Sequence, residues 1–301
     1  MVDTRGGPHT SIPEPMSLNL DALISGPIGL SLQARAQSDD LDLPMLPHSA
    51  TEVLALCNGD DCDARDLALK IERDQSLAGH VLHVSNSAAY APNEPIVSLS
   101  QAVARLGFGA ICEISIAVAV KGKVFDVPGF EGTLSSLWRH SAVSGFYAKE
   151  IARVLRKNVE GAFLCGLLHE VGKPVALQLL MDAWREAGVD EPLEQALAEG
   201  VMDRFGGVLG GTLLAKWDFA PWMQAAVEYC HDLDGAGQFR EQAMMTQLAN
   251  RLASWTLGSS EDTAEDLARL PLVAELEIYE DDFAALLAKR ENILETAEAF
   301  Q

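Results

Sequence analysis

The chain has 301 residues, 48% of them apolar and five of them tryptophan, enough to bury about three-quarters of the surface its unfolded form exposes and to build one large or two modest domains. Forty-four acidic against twenty-two basic residues give a formal charge of −22, so the average surface repels phosphate backbones and anionic lipid heads. Nucleic acid is excluded as the leading partner, and so is a membrane: residues 1–20 hold no apolar core and the run Ile114–Val120 is too short to span a bilayer.

Residues 1–42 carry Pro8, Pro13, Pro15 and Pro27, one weak apolar patch at Leu18–Ile24 and the acidic close Asp39-Asp40-Leu41-Asp42, and read as a flexible N-terminal segment. Order is expected from Leu43-Pro44-Met45-Leu46-Pro47. Ser49 with Glu52 makes a capping box ahead of Val53, Leu54 and Leu56. Asp63 caps a second helix carrying Leu67, Leu69 and Ile71, and a third places Leu77, Val81, Val84 and Ala88 on one face. Ser98 and Gln101 repeat the box before Ala102, Val103 and Leu106, and Gly107 stops that helix. Further helices are predicted over 110–121, 134–157, 160–169, 173–186, 192–204, 208–216, 220–230, 240–257 and 274–297. No window alternates apolar and polar residues between hairpin turns and no fixed period recurs, so the predicted class is all-α and non-repetitive.

Cys57, Cys62, Cys112, Cys165 and Cys230 are odd in number, scattered and without a Cys-x-x-Cys pair. Neither a disulfide frame nor a zinc knuckle is expected, and the expected setting is a reducing, cytoplasmic one of bacterial type. Arg153, Arg156 and Lys157 form a local basic spot that reads as a solvated helix face.

Seven histidines are candidates for chemistry. His9 lies in the lead-in, His48 precedes a helix, and His80 and His83 sit on the third helix as ordinary surface or satisfied residues. His140 is followed by Ser141, Ser144 and Gly145, and His169 has Cys165 and Gly166 one turn behind it, small neighbours that leave room for an imidazole. His231 ends a predicted helix ahead of the loop Leu233-Asp234-Gly235-Ala236-Gly237. A His-Glu-x-x-His zinc site needs a second histidine at 173, which is lysine, and that metallopeptidase reading falls. An adjacent histidine and acid suit another chemistry, in which imidazoles and carboxylates from several helices hold a divalent cation that activates water against phosphorus.

Leu167-Leu168-His169-Glu170-Val171-Gly172-Lys173 resembles the Leu-Leu-His-Asp-Ile-Gly-Lys signature of the HD phosphohydrolase superfamily. Ile71-Glu72-Arg73-Asp74-Gln75-Ser76-Leu77, Val84-Ser85-Asn86-Ser87-Ala88-Ala89-Tyr90, Ile96 through Ala102-Val103-Ala104-Arg105-Leu106-Gly107, and Leu137-Trp138-Arg139-His140-Ser141 are similar, in order, to markers of its HDOD branch. The resemblance implies an all-α, two-lobed multi-helix bundle: an HDOD domain over 43–257, made of an N-terminal helical lobe (43–130) and an HD-like C-terminal lobe (131–257), then an acidic helical extension over 258–301. It also implies a regulatory role in bacterial signalling, with signalling proteins of two-component or cyclic-dinucleotide pathways as partners.

Residue by residue, the resemblance puts His140 and His169 at the superfamily's first two ligand histidines and Glu170 at the aspartate of its doublet. A further ligand histidine falls on Gly207, the histidine pair on Cys230 and His231, and the terminal aspartate on Asn250. The candidate metal set is therefore His140, His169, Glu170 and His231, with one carboxylate where a hard cation wants several anionic oxygens. No cofactor is expected beyond a weakly held divalent cation. The expected function is a non-catalytic module that binds a protein or a small nucleotide, with a metal-dependent phosphohydrolase or phosphodiesterase acting on a nucleotide as the competing expectation. In the first case His169 hydrogen-bonds a backbone carbonyl or a neighbouring side chain, and Glu170 is exposed or pairs with Lys173 or Arg139. Phe283, Leu286, Leu287 and Ile293 in the C-terminal segment read as core packing, with a homodimer face or a partner's dock as the alternative.

Overall fold

The computed structural model describes residues 20–36, 38, 41–57, 63–87, 90, 94–189 and 191–300, and every regular element among them is helical. The fold is all-α and two-lobed. Its first two helices, α1 (Leu20–Ser25) and α2 (Pro27–Ala36), lie in the segment expected to be flexible. Leu23 and Leu32 are buried there, and burying them offsets the cost of ordering a segment rich in Gly and Pro. The rest of that expectation, residues 1–19, lies outside the described residues.

Five helices make the first lobe: α3 (His48–Cys57), α4 (Ala64–Glu72), α5 (Gln75–Ser85), α6 (Leu99–Leu106) and α7 (Phe108–Val124). Their ends follow local chemistry. Asp63 accepts from the Arg65 amide, Asp74 from the Leu77 amide and Ser98 from the Gln101 amide, and Gly107, at φ +87, stops α6. Ser49 departs from the expected box, because α3 already begins at His48 and the Ser49 hydroxyl bonds Asp74 Oδ2 at 2.7 Å, tying two helices together. Glu52 pairs instead with Lys70, at 2.6 Å. From Ile111 to Ala117 every residue of α7 is buried, as in a helix that is apolar over most of its circumference.

Contrary to the expectation of unpaired cysteines, Cys57 and Cys112 are joined in a disulfide between the end of α3 and α7, 55 residues apart in the chain with Cα atoms 6.4 Å apart. Spacing along the sequence could not show it, because only the packing of α3 on α7 brings the two together. Cys165 and Cys230 are free and buried, and Cys62 lies outside the described residues.

The second lobe comprises α8 (Glu131–Leu155), α9 (Val159–Leu168), α10 (Gly172–Glu186), α11 (Gln195–Lys216), α12 (Pro221–Glu228) and α13 (Arg240–Leu257). One continuous apolar core runs through both lobes, with α7 packed on α9 between them. Val159–Glu186 is apolar and long enough by composition to cross a membrane, yet it is broken at the turn after α9 and 89% of its apolar window is buried inside the protein. The helices α1 and α2 also pack on this lobe, against α10 and α11.

Two predicted helices, 192–204 and 208–216, are one continuous α11. Gly206, Gly207, Gly210 and Gly211 lower its helix propensity, but they also let neighbouring backbones come close, and that contact prevails. The predicted 274–297 helix divides the other way, into α15 (Pro271–Glu275), α16 (Glu280–Ala288) and α17 (Arg290–Glu298), after a short α14 (Ala264–Ala268). Glu277, left-handed at φ +56, makes the first of these breaks. Phe283, Leu286 and Ile293 are buried in this extension, in keeping with core packing. Its end reaches the junction of the lobes: the Phe300 ring stacks edge-on against Phe146 at 5.4 Å, and its carbonyl accepts from the Trp138 indole at 2.7 Å and from Lys121 at 3.3 Å.

Candidate metal centre

His140 projects from the middle of α8, and His169 and Glu170 occupy the turn between α9 and α10. That turn is held by Gly172. A Cβ there would lie 2.0 Å from the Gly206 carbonyl oxygen and 2.3 Å from the Gly210 amide nitrogen, so α10 meets α11 backbone to backbone and no other residue fits.

The structure brings three of the four candidates together, the ligand atoms of His140, His169 and Glu170 lying within 4.8 Å of one another. The rings of His140 and His169 are 5.5 Å apart. His231 is not in that group; it is exposed, with its ring 6.5 Å from that of His169.

Most of the donors are already engaged. His169 Nδ1 lies 2.7 Å from the Gly166 carbonyl oxygen and so carries its proton there, as the sequence led us to expect. His140 Nε2 bonds Asn250 Oδ1 at 2.7 Å. Glu170 is buried, with Oε2 2.6 Å from Lys173 Nζ and Oε1 3.4 Å from His169 Nε2. Lys173 in turn reaches Asp203 on α11, at 2.7 Å. Arg139 takes no part in these contacts. His169 Nε2 is buried and has no partner beyond that 3.4 Å approach to Glu170 Oε1, and the hydroxyls of Ser141 and Ser144 on α8 are likewise buried without a hydrogen-bond partner.

The charges follow from these contacts. Burial would push the Glu170 carboxyl up, but the approach of the His169 ring and the ammonium of Lys173 outweigh it and hold the group well below the usual carboxylate range. Burial would lower Lys173, yet Glu170 and Asp203 raise it above the ordinary lysine value. Burial, helped by His169, takes His140 down to about 4, so this imidazole is neutral at physiological pH.

The remaining positions are closed. A Cβ at Gly207 would meet the Glu228 carbonyl oxygen at 2.7 Å, and one at Gly211 would meet the Glu228 carboxylate at 2.6 Å. The Cys230 thiol is buried against the Val227 carbonyl, and burial pushes its pKa far up, which keeps it a neutral thiol. Sequence reasoning missed Asp203 and the bond from Asn250 to His140. The paired glycines of α11 were the available signal that this helix lies close to α10.

Residues 43–233 match the protein-family model described as the HDOD domain. An uncharacterized protein of Treponema pallidum (strain Nichols) is 23% identical over 201 residues, which is 65% of this chain and 39% of that protein, so the chain spans about two-fifths of the length of this curated relative. Among solved structures, a protein of Shewanella amazonensis SB2B with a provisional phosphohydrolase name superposes with a TM-score of 0.69 at 22% identity, covering 90% of this chain and 98% of its own. A protein of Marinobacter aquaeolei VT8 with a provisional signal-transduction name gives 0.65 at 19%, covering 95% of this chain and 67% of its own. At such identities the likeness shows the fold.

Proposed function

The chain belongs to the HDOD domain family, and from that premise we propose that it is a non-catalytic signalling module of the bacterial cytoplasm, one that binds a protein partner or a small nucleotide. The observation that carries this reading is the ammonium of Lys173, 2.6 Å from Glu170 Oε2. The one carboxylate of the imidazole cluster is thereby neutralised by the protein itself, and a divalent cation would have to displace that ammonium to gain its only anionic ligand. Hydrolysis of a phosphoester also needs an open coordination position with a placed water, and at Gly207 the backbone of Glu228 leaves no room for another ligand side chain. The site is thus a degenerate form of the superfamily's metal centre.

The formal charge of −22 suits a basic partner protein, such as a component of a two-component or cyclic-dinucleotide pathway. The Marinobacter likeness agrees with such a role. In the cytoplasm the Cys57–Cys112 disulfide would be a reversible, redox-responsive link rather than a permanent one.

A second reading, weak cation binding, is favoured by His169 Nε2, which is buried, has no partner beyond Glu170 Oε1 at 3.4 Å, and lies beside the ligand atom of His140. Metal analysis of protein purified without added metal, thermal shifts with Mn²⁺ and Mg²⁺, and phosphodiesterase assays decide between the two. The expected result is no bound metal, no shift and no turnover. Stabilisation by several degrees that His140→Ala and His169→Ala both abolish, or sustained phosphoester turnover, overturns the proposal.

A further inference from the structure

A cavity of about 290 Å³ opens between α8, α9, α12 and α13, with Cys165, one helical turn before His169, in its wall. Its inner surface is apolar, formed by buried Ala162, Cys165 and Met245. Two half-buried aromatic rings complete it. Trp222 is placed by Gly161, where a Cβ would lie 2.4 Å from the indole, and Phe239 lies in the short turn Gly237–Phe239.

Three polar side chains face the same space. Thr246 is buried, and its hydroxyl donates to the Gln242 carbonyl at 3.0 Å, which leaves its oxygen able to accept. Asn158 Oδ1 accepts from the Gly161 amide at 2.8 Å, which leaves its NH₂ to donate. The Gln242 carboxamide offers a donor and an acceptor side by side.

We propose that this cavity binds a fused bicyclic heteroaromatic ring of the purine class. The volume falls just under the range for pockets of drug-sized ligands, about 300–1,000 Å³, and suits a single base-sized ring. Flat aromatic walls accept a planar ring by stacking. Paired carboxamide donors and acceptors match the amidine or lactam edge of a purine, whereas a plain hydrocarbon would leave them unpaired at a cost. No ligand charge is required, because Lys157 at the rim is taken up by Glu241 at 2.8 Å.

The proposal rests on the reading of the chain as a binding module. Metal content and turnover test that reading, whereas purine binding is read at Trp222 without any assay of activity. Adenine, hypoxanthine and indole are titrated against the full chain and followed by tryptophan fluorescence and thermal shift. The purines are expected to quench saturably and to stabilise the fold. The quench is lost in Trp222→Phe and in the cavity-filling Ala162→Leu, and affinity falls about tenfold in Gln242→Leu. Thr246→Val, close to isosteric, weakens purine binding severalfold and decides the matter should Ala162→Leu not fold. Indole, lacking the paired edge, binds less tightly. Absence of any purine quench, a quench that survives in folded Ala162→Leu, unchanged purine affinity in Thr246→Val, or indole binding tighter than the purines refutes the proposal.

Discussion

In α4, α5 and α6 the side chain of Asp63, Asp74 or Ser98 satisfies a first-turn amide, whereas α10, α11, α12 and α13 have no side-chain cap and the first three meet through glycines. In the second lobe α9, capped by Asn158, behaves like the first, and so in the extension does α14, boxed by Thr263 and Asp266. The stability of the first lobe is thus written partly in short stretches of chain. That of the second is written in close approaches between helices far apart in sequence. A lost cap costs about 1 kcal/mol and leaves the rest standing. A side chain forced between two touching backbones has nowhere to go.

The largest expected effect is at Gly172, where Gly172→Val should cost about 5 kcal/mol or prevent folding outright, since its Cβ would sit 2.0 Å from a carbonyl oxygen. Urea denaturation checks it, and a loss near 1 kcal/mol would erase the contrast between the lobes. Next comes Lys173→Met. It strands the buried Glu170 carboxylate and is expected to cost about 3–5 kcal/mol, most of it returned by adding Glu170→Gln, as read from a double-mutant cycle of denaturant midpoints. If the double variant is no more stable than the single one, the pair is not the unit described.

The smallest effect is expected in the first lobe. Asp74→Ala should cost about 1 kcal/mol at neutral pH. The Leu77 amide and the Ser49 hydroxyl hold the Asp74 carboxyl below its ordinary value of 3.8. A depressed carboxylate stabilises the fold above its unfolded-state pKa and loses that contribution as pH falls through the lower, folded-state value. The gap in melting temperature between wild type and Asp74→Ala should therefore shrink as the medium is acidified below the ordinary value, and a gap that widens there contradicts the assignment.

The same contrast explains what the sequence disclosed. Asp63, Ser98 and Gly107 were legible because a cap or a stop is settled within a few residues. Ser49 misled because the Asp74 carboxylate claims its hydroxyl from another helix. The glycines of α11 read as a break, since propensity is local and the approach of α10 is not. The disulfide, and the seating of Leu23 and Leu32 on the second lobe, were hidden for the same reason. At the site, the resemblance located His140, His169 and Glu170, which converge. It did not foresee that His231 would stand apart, nor that Asp203 would hold the far side of Lys173.

The seating of α1 and α2 on α10 and α11 also has a consequence for biosynthesis. A ribosome extends the nascent chain by about 5–20 residues per second. Residues 20–36 therefore leave it many seconds before Gly172–Lys216 exist to receive them. Leu23 and Leu32 must spend that interval solvated or shielded by a chaperone. Phe300 emerges later still, so the seam between the lobes cannot close until translation has passed both of them.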